Sequence, residues 1–125
     1  MKKLLLLPLL LVTCFGFTQN AKEIIGKPIR LQKFDVAQYD FIEEMNWKDA
    51  KAECAKLGKG WRLPTLNELN VMYKYKDKIG GVAANFYWSS TETGNGSAWR
   101  QYFNTGVQYG CFKYFTSYVR AVRAF

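Results

Sequence analysis

Residues 46–69 have the sequence NWKDAKAECAKLGKGWRLPTLNEL, which contains the signals for two successive helices. Asn46 is a favourable N-cap residue, and Asp49 puts a negative charge near the positive end of the first helix dipole. Apolar side chains then recur at three- and four-residue spacing and predict one buried stripe, formed by Trp47, Ala50, Cys54 and Leu57. Gly58 is placed to end this helix in a left-handed conformation.

The second helix begins at a capping box. Thr65 is the predicted N-cap, and Glu68 at the third helical position reaches back to the Thr65 backbone. The pattern predicts a helix that continues to about Lys76 and buries one apolar face, formed by Leu66, Leu69, Met72 and Tyr73. Gly80 and Gly81 are expected to close it.

The segments on either side of the helices favour extended structure. Residues 22–41 contain short apolar groups, among them Ile24-Ile25, punctuated by Gly26 and Pro28, and residues 36–41 alternate as a strand does. After Phe86 the chain is rich in aromatic side chains and has turn signals at residues 94–96 and 104–106. Alternation there predicts a strand with Trp99, Gln101 and Phe103 on one face and Arg100, Tyr102 and Asn104 on the other. Residues 118–124 are predicted to form a final strand, so the class is α+β.

Residues 1–19 are typical of a cleavable secretion signal. Lys2 and Lys3 precede an apolar run, residues 4–12, that is too short to span a bilayer. The segment is less typical of a buried helix because Pro8 interrupts it. A lipoprotein signal is the alternative, since Leu11-Val12-Thr13-Cys14 resembles a lipobox, and only lipidation at Cys14 would attach the protein to a membrane. We therefore expect an exported protein (periplasmic, secreted or on the cell surface) with one domain over residues 20–125.

Composition excludes several kinds of chemistry. The chain has no histidine, which removes Ser-His-Asp and Cys-His catalysis and the usual zinc-hydrolase ligands, so no metal or cofactor is expected. The formal net charge is +8, and no acidic residue follows Glu92. A basic stretch can attract an anionic glycan or nucleic acid, but export argues against nucleic acid. Cys54 and Cys111 could pair in an oxidising compartment, which the sequence leaves open.

Four motifs follow one another along the chain: Asn46-Trp47-Lys48-Asp49-Ala50 with Cys54, Gly60-Trp61-Arg62-Leu63-Pro64-Thr65 with Glu68-Leu69, Tyr87-Trp88-Ser89-Ser90-Thr91, and Tyr118-Val119-Arg120-Ala121-Val122-Arg123. Together they resemble a bacterial family, much of it recorded as a domain of unknown function, that is typified by the C-terminal domain of the Legionella collagen-like adhesin. The resemblance implies a C-type-lectin-like fold related to the formylglycine-generating enzymes: two helices packed on a twisted antiparallel sheet with a loop-rich β C-terminal half. It also implies that Trp61, Arg62, Trp88 and Arg120 are scaffold residues.

The chain departs from the active members of that fold. Calcium-dependent lectins use a Glu-Pro-Asn or Gln-Pro-Asp loop followed by Trp-Asn-Asp, and none of these is present. Glu92, Asn95 and Asn104 offer few carboxylates for a calcium site. Formylglycine-generating enzymes need a cysteine pair in the C-terminal half, where this chain has only Cys111. We therefore predict a protein that is not an enzyme.

The remaining function is recognition. We predict an exported, non-enzymatic module that binds a protein or a glycan, including an anionic one, because aromatic side chains provide contact area and Arg100 provides a polar anchor. The alternatives are a structural envelope protein without a specific ligand and, less favoured, an enzyme of the formylglycine-generating type. The predicted ligand-binding residues are Trp99, Arg100, Tyr102, Asn104, Val107, Tyr109, Phe112, Tyr114, Phe115 and Ser117.

Residues 107–117 also suggest a target of a diversity-generating retroelement. Such elements act on some lectin-fold proteins and mutate adenines, so that asparagine codons can become codons for most amino acids, among them Tyr, Phe, Ser, Cys, Gly and Val, but not for Lys, Gln, Trp, Met or Glu. Gln108 and Lys113 fall outside the reachable set. The residues inside it are Val107, Tyr109, Gly110, Cys111, Phe112, Tyr114, Phe115 and Ser117. On this hypothesis Cys111 is a variable surface residue and does not pair with Cys54.

Overall fold

The computed structural model describes residues 20–125 of the chain. The predicted secretion signal and the lipobox at Cys14 lie outside the described residues. Within residues 20–125 there are two longer helices and two short ones: α1 (Ala21–Ile25), α2 (Trp47–Lys56), α3 (Leu66–Lys74) and α4 (Lys76–Ile79). None of the helices within residues 20–125 is long and apolar enough to cross a membrane.

In the described part of the chain, six strands form two separate antiparallel sheets. The strands are β1 (Ile29–Leu31), β2 (Phe34–Val36), β3 (Phe86–Gly94), β4 (Ser97–Tyr102), β5 (Gln108–Phe112) and β6 (Val122–Ala124). The first sheet has the order β1-β2-β6, which brings the two ends of the described chain together, and the second has the order β3-β4-β5. In the second sheet Arg100 lies opposite both Trp88 and Tyr109.

Two clusters of buried apolar side chains pack the helices against the sheets. The first contains the buried face of α2 and the indoles of Trp61 and Trp88, and the second contains Leu69 and Met72 of α3 with Phe103. The second sheet is therefore covered by α2 and by α3. This arrangement confirms the prediction of an α+β fold in which two helices pack on an antiparallel sheet.

The helix starts follow the sequence signals. The Asn46 side chain accepts a hydrogen bond from the Asp49 amide, and Thr65 and Glu68 form the complete predicted capping box. Gly58 has a φ of 138° directly after the C-cap of α2, as predicted. The second helix ends at Lys74, and the turn at Tyr75 starts the separate helix α4, which ends at Gly80.

The prediction of extended structure was wrong at Ile24 and Ile25, which belong to α1. Asn20 and Glu23 form a second complete capping box, and Ile24 is fully buried in the first apolar cluster. Capping and burial therefore override the weak helix propensity of two adjacent β-branched residues.

The predicted strands at residues 36–41 and 118–124 are shorter than expected. Only Val36 and residues 122–124 of these segments are in strands. Outside the strands, isolated backbone hydrogen bonds join the two segments without a continuous ladder. The Ala37 amide donates to the Ala121 carbonyl at 2.9 Å, and the Phe41 amide donates to the Val119 carbonyl at 3.0 Å. The two segments are thus joined without forming a regular sheet.

The residues implied to be scaffold are buried or hold buried groups. Trp61 is 4% exposed and Trp88 is fully buried. Arg62 donates to both carboxylate oxygens of Glu68 at 2.6 and 2.9 Å, which ties the start of α3 to the preceding loop. Cys54 and Cys111 are both free thiols, so the bridge that the sequence left open is not formed.

Candidate functional site

Three aromatic side chains at the end of β5 and in the following turn lie in solvent. Phe112 is 54% exposed, Tyr114 72% and Phe115 48%. Their rings contact one another: the Phe112 and Tyr114 centroids are 5.4 Å apart with an interplanar angle of 6°, and the Tyr114 and Phe115 centroids are 5.1 Å apart. We call these residues the aromatic trio. Apolar area of this kind costs free energy in water and becomes favourable when a partner covers it.

A shallow cleft of about 490 Å³ adjoins one side of the trio. Phe112 and Phe115 form one wall, and the half-buried Trp99 of β4 lies next to them. Gly110 lines the cleft without a side chain. A Cβ at this position would lie 3.3 Å from the Thr93 methyl group, so the glycine leaves space in the cleft beside Thr93. The lining residues are Thr93, Ser97, Trp99, Gly110, Cys111, Phe112 and Phe115.

A second cleft of about 510 Å³ lies on the other side of the trio, between Tyr114 and the start of α2. The Lys113 side chain lines this cleft, and its Nζ atom lies 4.3 Å from the centroid of the Trp47 ring. The same Nζ atom donates hydrogen bonds to the Glu92 carboxylate at 2.5 Å and to the Asn95 carbonyl at 2.8 Å. This hydrogen bond lowers the pKa of the Glu92 carboxyl below its ordinary value. The lining residues are Asn46, Trp47, Lys48, Asp49, Lys113 and Tyr114.

A separate aromatic group surrounds Arg100. The Arg100 guanidinium carbon is 3.9 Å from the centroid of the Phe86 ring. The Phe86 centroid in turn lies 4.6 Å from the ring centroid of Tyr102 and 5.7 Å from that of Tyr109. Arg100 donates to the Ser117 hydroxyl at 3.2 Å, and its Nε atom is buried without a hydrogen-bond partner. Among the salt bridges of residues 20–125 none involves Arg100. Within the described residues this cation therefore contacts aromatic rings and a hydroxyl group instead of an acidic side chain.

The second sheet separates the predicted binding residues into two groups. Successive residues of a strand point to opposite faces. Trp99 and Phe112 lie with Gln101 and Phe103 on the face that α3 partly covers, where Gln101 donates to Asn70 at 2.9 Å. The residues on the opposite face are Arg100, Tyr102 and Tyr109. The division of β4 between two faces agrees with the predicted alternation, and it means that the predicted residues do not form one surface.

The other predicted residues have different surroundings. Val107, 45% exposed, lies in the turn between β4 and β5, and Asn104 in the same turn lines a third cleft of about 320 Å³ beside Gly80 and Gly81. The prediction that Ser117 belongs to an exposed face was wrong. Ser117 is 1% exposed because its backbone exchanges two hydrogen bonds with Met45, each 3.0 Å long.

Sequence reasoning missed Trp47 and Lys48, which line the second cleft, and Phe86, which stacks on Arg100. Trp47 was predicted to lie in the core, and it is only 7% exposed, but it also lines the cleft. No local sequence pattern indicates that Trp47 and Lys113 are neighbours. In the fold the Trp47 amide donates a hydrogen bond of 3.0 Å to the Lys113 carbonyl. The contact exists only because the chain after β5 returns to α2.

A group of ionisable side chains lies next to Gly80 and Gly81, where Arg120 donates to both carbonyls and Asp40 accepts from Arg120 and Tyr87. Burial raises the pKa of Asp40, against the opposing effects of Arg120 and Tyr87, and burial followed by the Asp40 charge raises that of Tyr87. The Tyr87 hydroxyl donates to Asp40 at 2.7 Å and accepts from the Ala83 amide at 2.8 Å. Within residues 20–125 no cluster of three or more His, Cys, Asp or Glu side chains could hold a metal ion.

Comparison with known proteins agrees with this geometry. The model of the Lcl C-terminal domain family matches residues 20–123. No curated protein matches the chain. The crystal structure of botrocetin has a TM-score of 0.60 at 11% identity and covers 80% of this chain and 98% of its own. The complex of botrocetin with a mutant von Willebrand factor A1 domain has a TM-score of 0.57 at 10% identity, with the same coverage. The predicted C-type-lectin-like fold is confirmed.

Proposed function

Because this chain belongs to the Lcl C-terminal domain family, we propose that it is a recognition module that binds a partner protein through the aromatic trio. The single observation that carries the proposal is the exposure of Phe112, Tyr114 and Phe115, which pack on one another in solvent. Clustered exposed rings are typical of binding hot spots.

The two clefts beside the trio support a protein partner in particular. A partner that covers the trio could insert one side chain into the cleft beside Trp99 and another into the cleft beside Tyr114. Both the buried contact area and the shape complementarity of the interface would then increase the affinity. The similar fold of botrocetin has been solved in complex with a protein, the von Willebrand factor A1 domain. That complex supports a protein partner for the fold and does not identify the partner of this chain.

An anionic glycan is the second candidate, and the second cleft favours it. Lys48 lines this cleft and forms no ion pair within the described residues. The ring of Tyr114, which lines the same cleft and is 72% exposed, offers a surface on which a sugar could stack. The formal net charge of +8 would attract such a polymer. Salt separates the candidates, because screening weakens binding to a polyanion more than binding to an apolar protein surface.

The test is direct binding by the purified protein to cell surfaces and to a glycan array. The double variant Tyr114→Ala/Phe115→Ala removes most of the trio, and we expect it to lose binding by about tenfold or more. The matched control is Tyr75→Ala, because Tyr75 is 44% exposed but lies between α3 and α4. Equal binding by both variants would contradict the proposal and would favour a purely structural protein.

We further propose that the protein is exported through residues 1–19. A positive start, a short apolar run and a polar continuation at Gln19 and Asn20 support it. Expression in a bacterial host and mass spectrometry of the mature N-terminus test this proposal. A free N-terminus near residue 19 or 20 supports the cleaved form, and an acylated Cys14 supports the lipoprotein form. An intact Met1 in the cytoplasm would contradict both.

Retroelement diversification of residues 107–117 remains a proposal, and exposure gives it partial support. Tyr109, Phe112, Tyr114 and Phe115 are reachable by adenine mutation and exposed, whereas the unreachable Gln108 and Lys113 are half-buried and hydrogen-bonded. The buried Ser117 does not fit this division. Sequencing of close paralogues tests the proposal: variation at residues 107–117 no greater than at residues 47–69 would reject it.

A further inference from the structure

We propose that Arg100 binds the carboxylate of a small aromatic acid, on the face of the β3-β4-β5 sheet that is opposite to Phe112. This site goes beyond the proposed function, because it needs neither the aromatic trio nor a partner protein. The proposal follows from a comparison of Arg100 with the other arginines of the chain. An arginine that is partly removed from water normally has an acidic partner, and Arg100 has none within residues 20–125.

Each of the other four arginines forms a salt bridge. The pairs are Arg30–Asp35 at 2.9 Å, Arg62–Glu68 at 2.6 Å, Arg120–Asp40 at 2.6 Å and Arg123–Asp35 at 3.8 Å. Glu44 is held close to the segment that Arg100 contacts, because its carboxylate accepts a hydrogen bond of 3.5 Å from Thr116, the residue before Ser117. It forms no salt bridge with Arg100, so the described residues leave the Arg100 charge without a counterion.

The hydrogen bonds of Arg100 leave one edge of its guanidinium free. The Nη1 atom donates to the Ser117 hydroxyl at 3.2 Å. The Nε atom is buried without a partner, whereas the Nη2 atom has no hydrogen bond with any of residues 20–125 and is not buried. Nε and Nη2 donate from the same side of the planar group, and a carboxylate binds such an edge with two parallel hydrogen bonds.

The buried Nε atom is the second reason to expect a ligand. A buried donor without an acceptor costs free energy, and a ligand oxygen that reaches it recovers that cost. The Nη2 atom gives the ligand its entry from solvent. Tyr109 lies opposite Arg100 in the β4-β5 ladder and is 46% exposed, so its ring has the freedom to turn and admit the second carboxylate oxygen to Nε.

The rings around Arg100 select an acid with an aromatic body. On this face of the sheet α2 covers Trp88 and Ala98 but leaves Tyr109 in solvent. Phe86 stacks on Tyr102 with an interplanar angle of 28°, and both are half-buried. The area that remains uncovered therefore suits one ring instead of a protein surface. A ring attached to the carboxylate gains contact area and edge-to-face or offset contacts there.

The charge balance favours a carboxylate over a phosphate. Arg100 supplies one positive charge, which a carboxylate matches with one negative charge in a planar group. The other described contacts of the guanidinium are the rings of Phe86 and Trp88 and the Ser117 hydroxyl, which bring no second positive charge. A phosphate dianion would leave one of its charges uncompensated next to these rings, and we expect it to bind more weakly.

Nuclear magnetic resonance of the ¹⁵N-labelled protein, purified from full-chain expression, tests the proposal. The probe is benzoate, and the signal is the Nε–H resonance of Arg100, which is assigned by its absence in Arg100→Lys. We expect a saturating shift of this resonance with a dissociation constant of about 1 mM. Benzamide has the same ring without the charge, acetate has the charge without the ring, and we expect each to bind at least about tenfold more weakly.

Two arginine variants locate the site, with the Tyr109 backbone amide as the reporter. Arg100→Lys keeps the charge but removes the planar edge, and we expect it to weaken benzoate binding by about tenfold. Arg30→Lys is the matched control. The Arg30 guanidinium also lies over a phenylalanine ring, 3.6 Å from the centroid of Phe125, but it already pairs with Asp35. We expect Arg30→Lys to bind benzoate like the unmodified protein.

Several results would overturn the proposal: no shift at Arg100, equal binding of benzamide, tighter binding of inorganic phosphate, or equal losses in the two arginine variants. Equal binding of acetate would overturn the aromatic acid as the ligand class. If Arg100→Lys does not fold, the three probes compared on the unmodified protein still decide. The trio variant Tyr114→Ala/Phe115→Ala should keep its benzoate binding. A protein that binds its partner through the trio but not benzoate would overturn this proposal alone and leave the proposed function standing.

Discussion

The Arg120 Nε atom donates a hydrogen bond of 2.6 Å to the Asp40 carboxylate, across eighty residues of chain. The same guanidinium, 1% exposed, donates to the carbonyls of Ala37 and Gln38 and to those of Gly80 and Gly81. One buried side chain therefore joins the segment after β2, the end of α4 and the segment before β6. A planar guanidinium with five donors is suited to this role, and lysine is not.

Arg120→Lys is expected to lower the free energy of unfolding by about 3 kcal/mol, because it leaves buried carbonyls without donors. Urea denaturation followed by tryptophan fluorescence measures the loss. The matched control is Arg30→Lys, which alters an exposed arginine that also pairs with an aspartate and should leave the urea midpoint nearly unchanged. An equal effect of the two substitutions would contradict the role assigned to Arg120.

Glu68 is expected to make stability depend on pH in the acid range. Burial disfavours its charge, but hydrogen bonds from Arg62 and Thr65 outweigh burial, so its pKa lies below the ordinary 4.5. A carboxyl whose pKa is lowered by folding contributes stability above its unfolded pKa, and that stability is lost as pH falls through the folded pKa.

Glu68→Gln tests this dependence. We expect it to destabilise the protein by about 1 kcal/mol at neutral pH and by progressively less below pH 4.5. Urea denaturation at several pH values measures the difference. Glu43→Gln serves as the control, because Glu43 is exposed and forms no hydrogen bond or ion pair with any of residues 20–125. A difference between Glu68→Gln and the unmodified protein that stays constant with pH would show that the charge of Glu68 is not responsible.

The two cysteines are expected to differ in reactivity. Cys54 is fully buried, and burial raises the pKa of its thiol to about 12, so the reactive thiolate is scarce in the folded protein. Cys111 is half-buried and lines the cleft beside Phe112. Brief alkylation of the native protein at pH 8, followed by peptide mass spectrometry, should label Cys111 and spare Cys54. Labelling of both in urea is the control, and equal labelling in the native protein would contradict the burial of Cys54.

Two phenylalanines near the same sheet are expected to contribute very differently to stability. Phe103 is 1% exposed and contacts the rings of Tyr73 and Tyr87, so Phe103→Ala should cost about 3 to 5 kcal/mol through the cavity it leaves. Phe112→Ala should change stability by no more than about 0.5 kcal/mol, because the ring is 54% exposed. Chemical denaturation measures both. A large loss for Phe112→Ala would mean that the trio holds the fold together, which would weaken its assignment to binding.

The parts of the fold that were predictable are those with local causes. The caps at Asn46 and Thr65 and the end of α2 at Gly58 are set by hydrogen bonds and backbone preferences within a few residues. The alternation of Trp99 and Arg100 follows from strand geometry alone. α1 was missed although Asn20 and Glu23 carry a capping signal, because the burial of Ile24, which completes the helix, depends on distant residues.

The sequence by itself determined the starts of α2 and α3 and the aromatic content of the C-terminal half, and the family resemblance implied the scaffold role of Trp61, Arg62, Trp88 and Arg120. It could not determine which aromatic residues lie together. Only the tertiary structure placed Phe112 and Tyr109 on opposite faces of the sheet, buried Ser117 against Met45, and brought Lys113 over Trp47. The physical reason is that local preferences act over one turn or one strand, whereas a binding surface is formed by the return of distant segments to the same sheet.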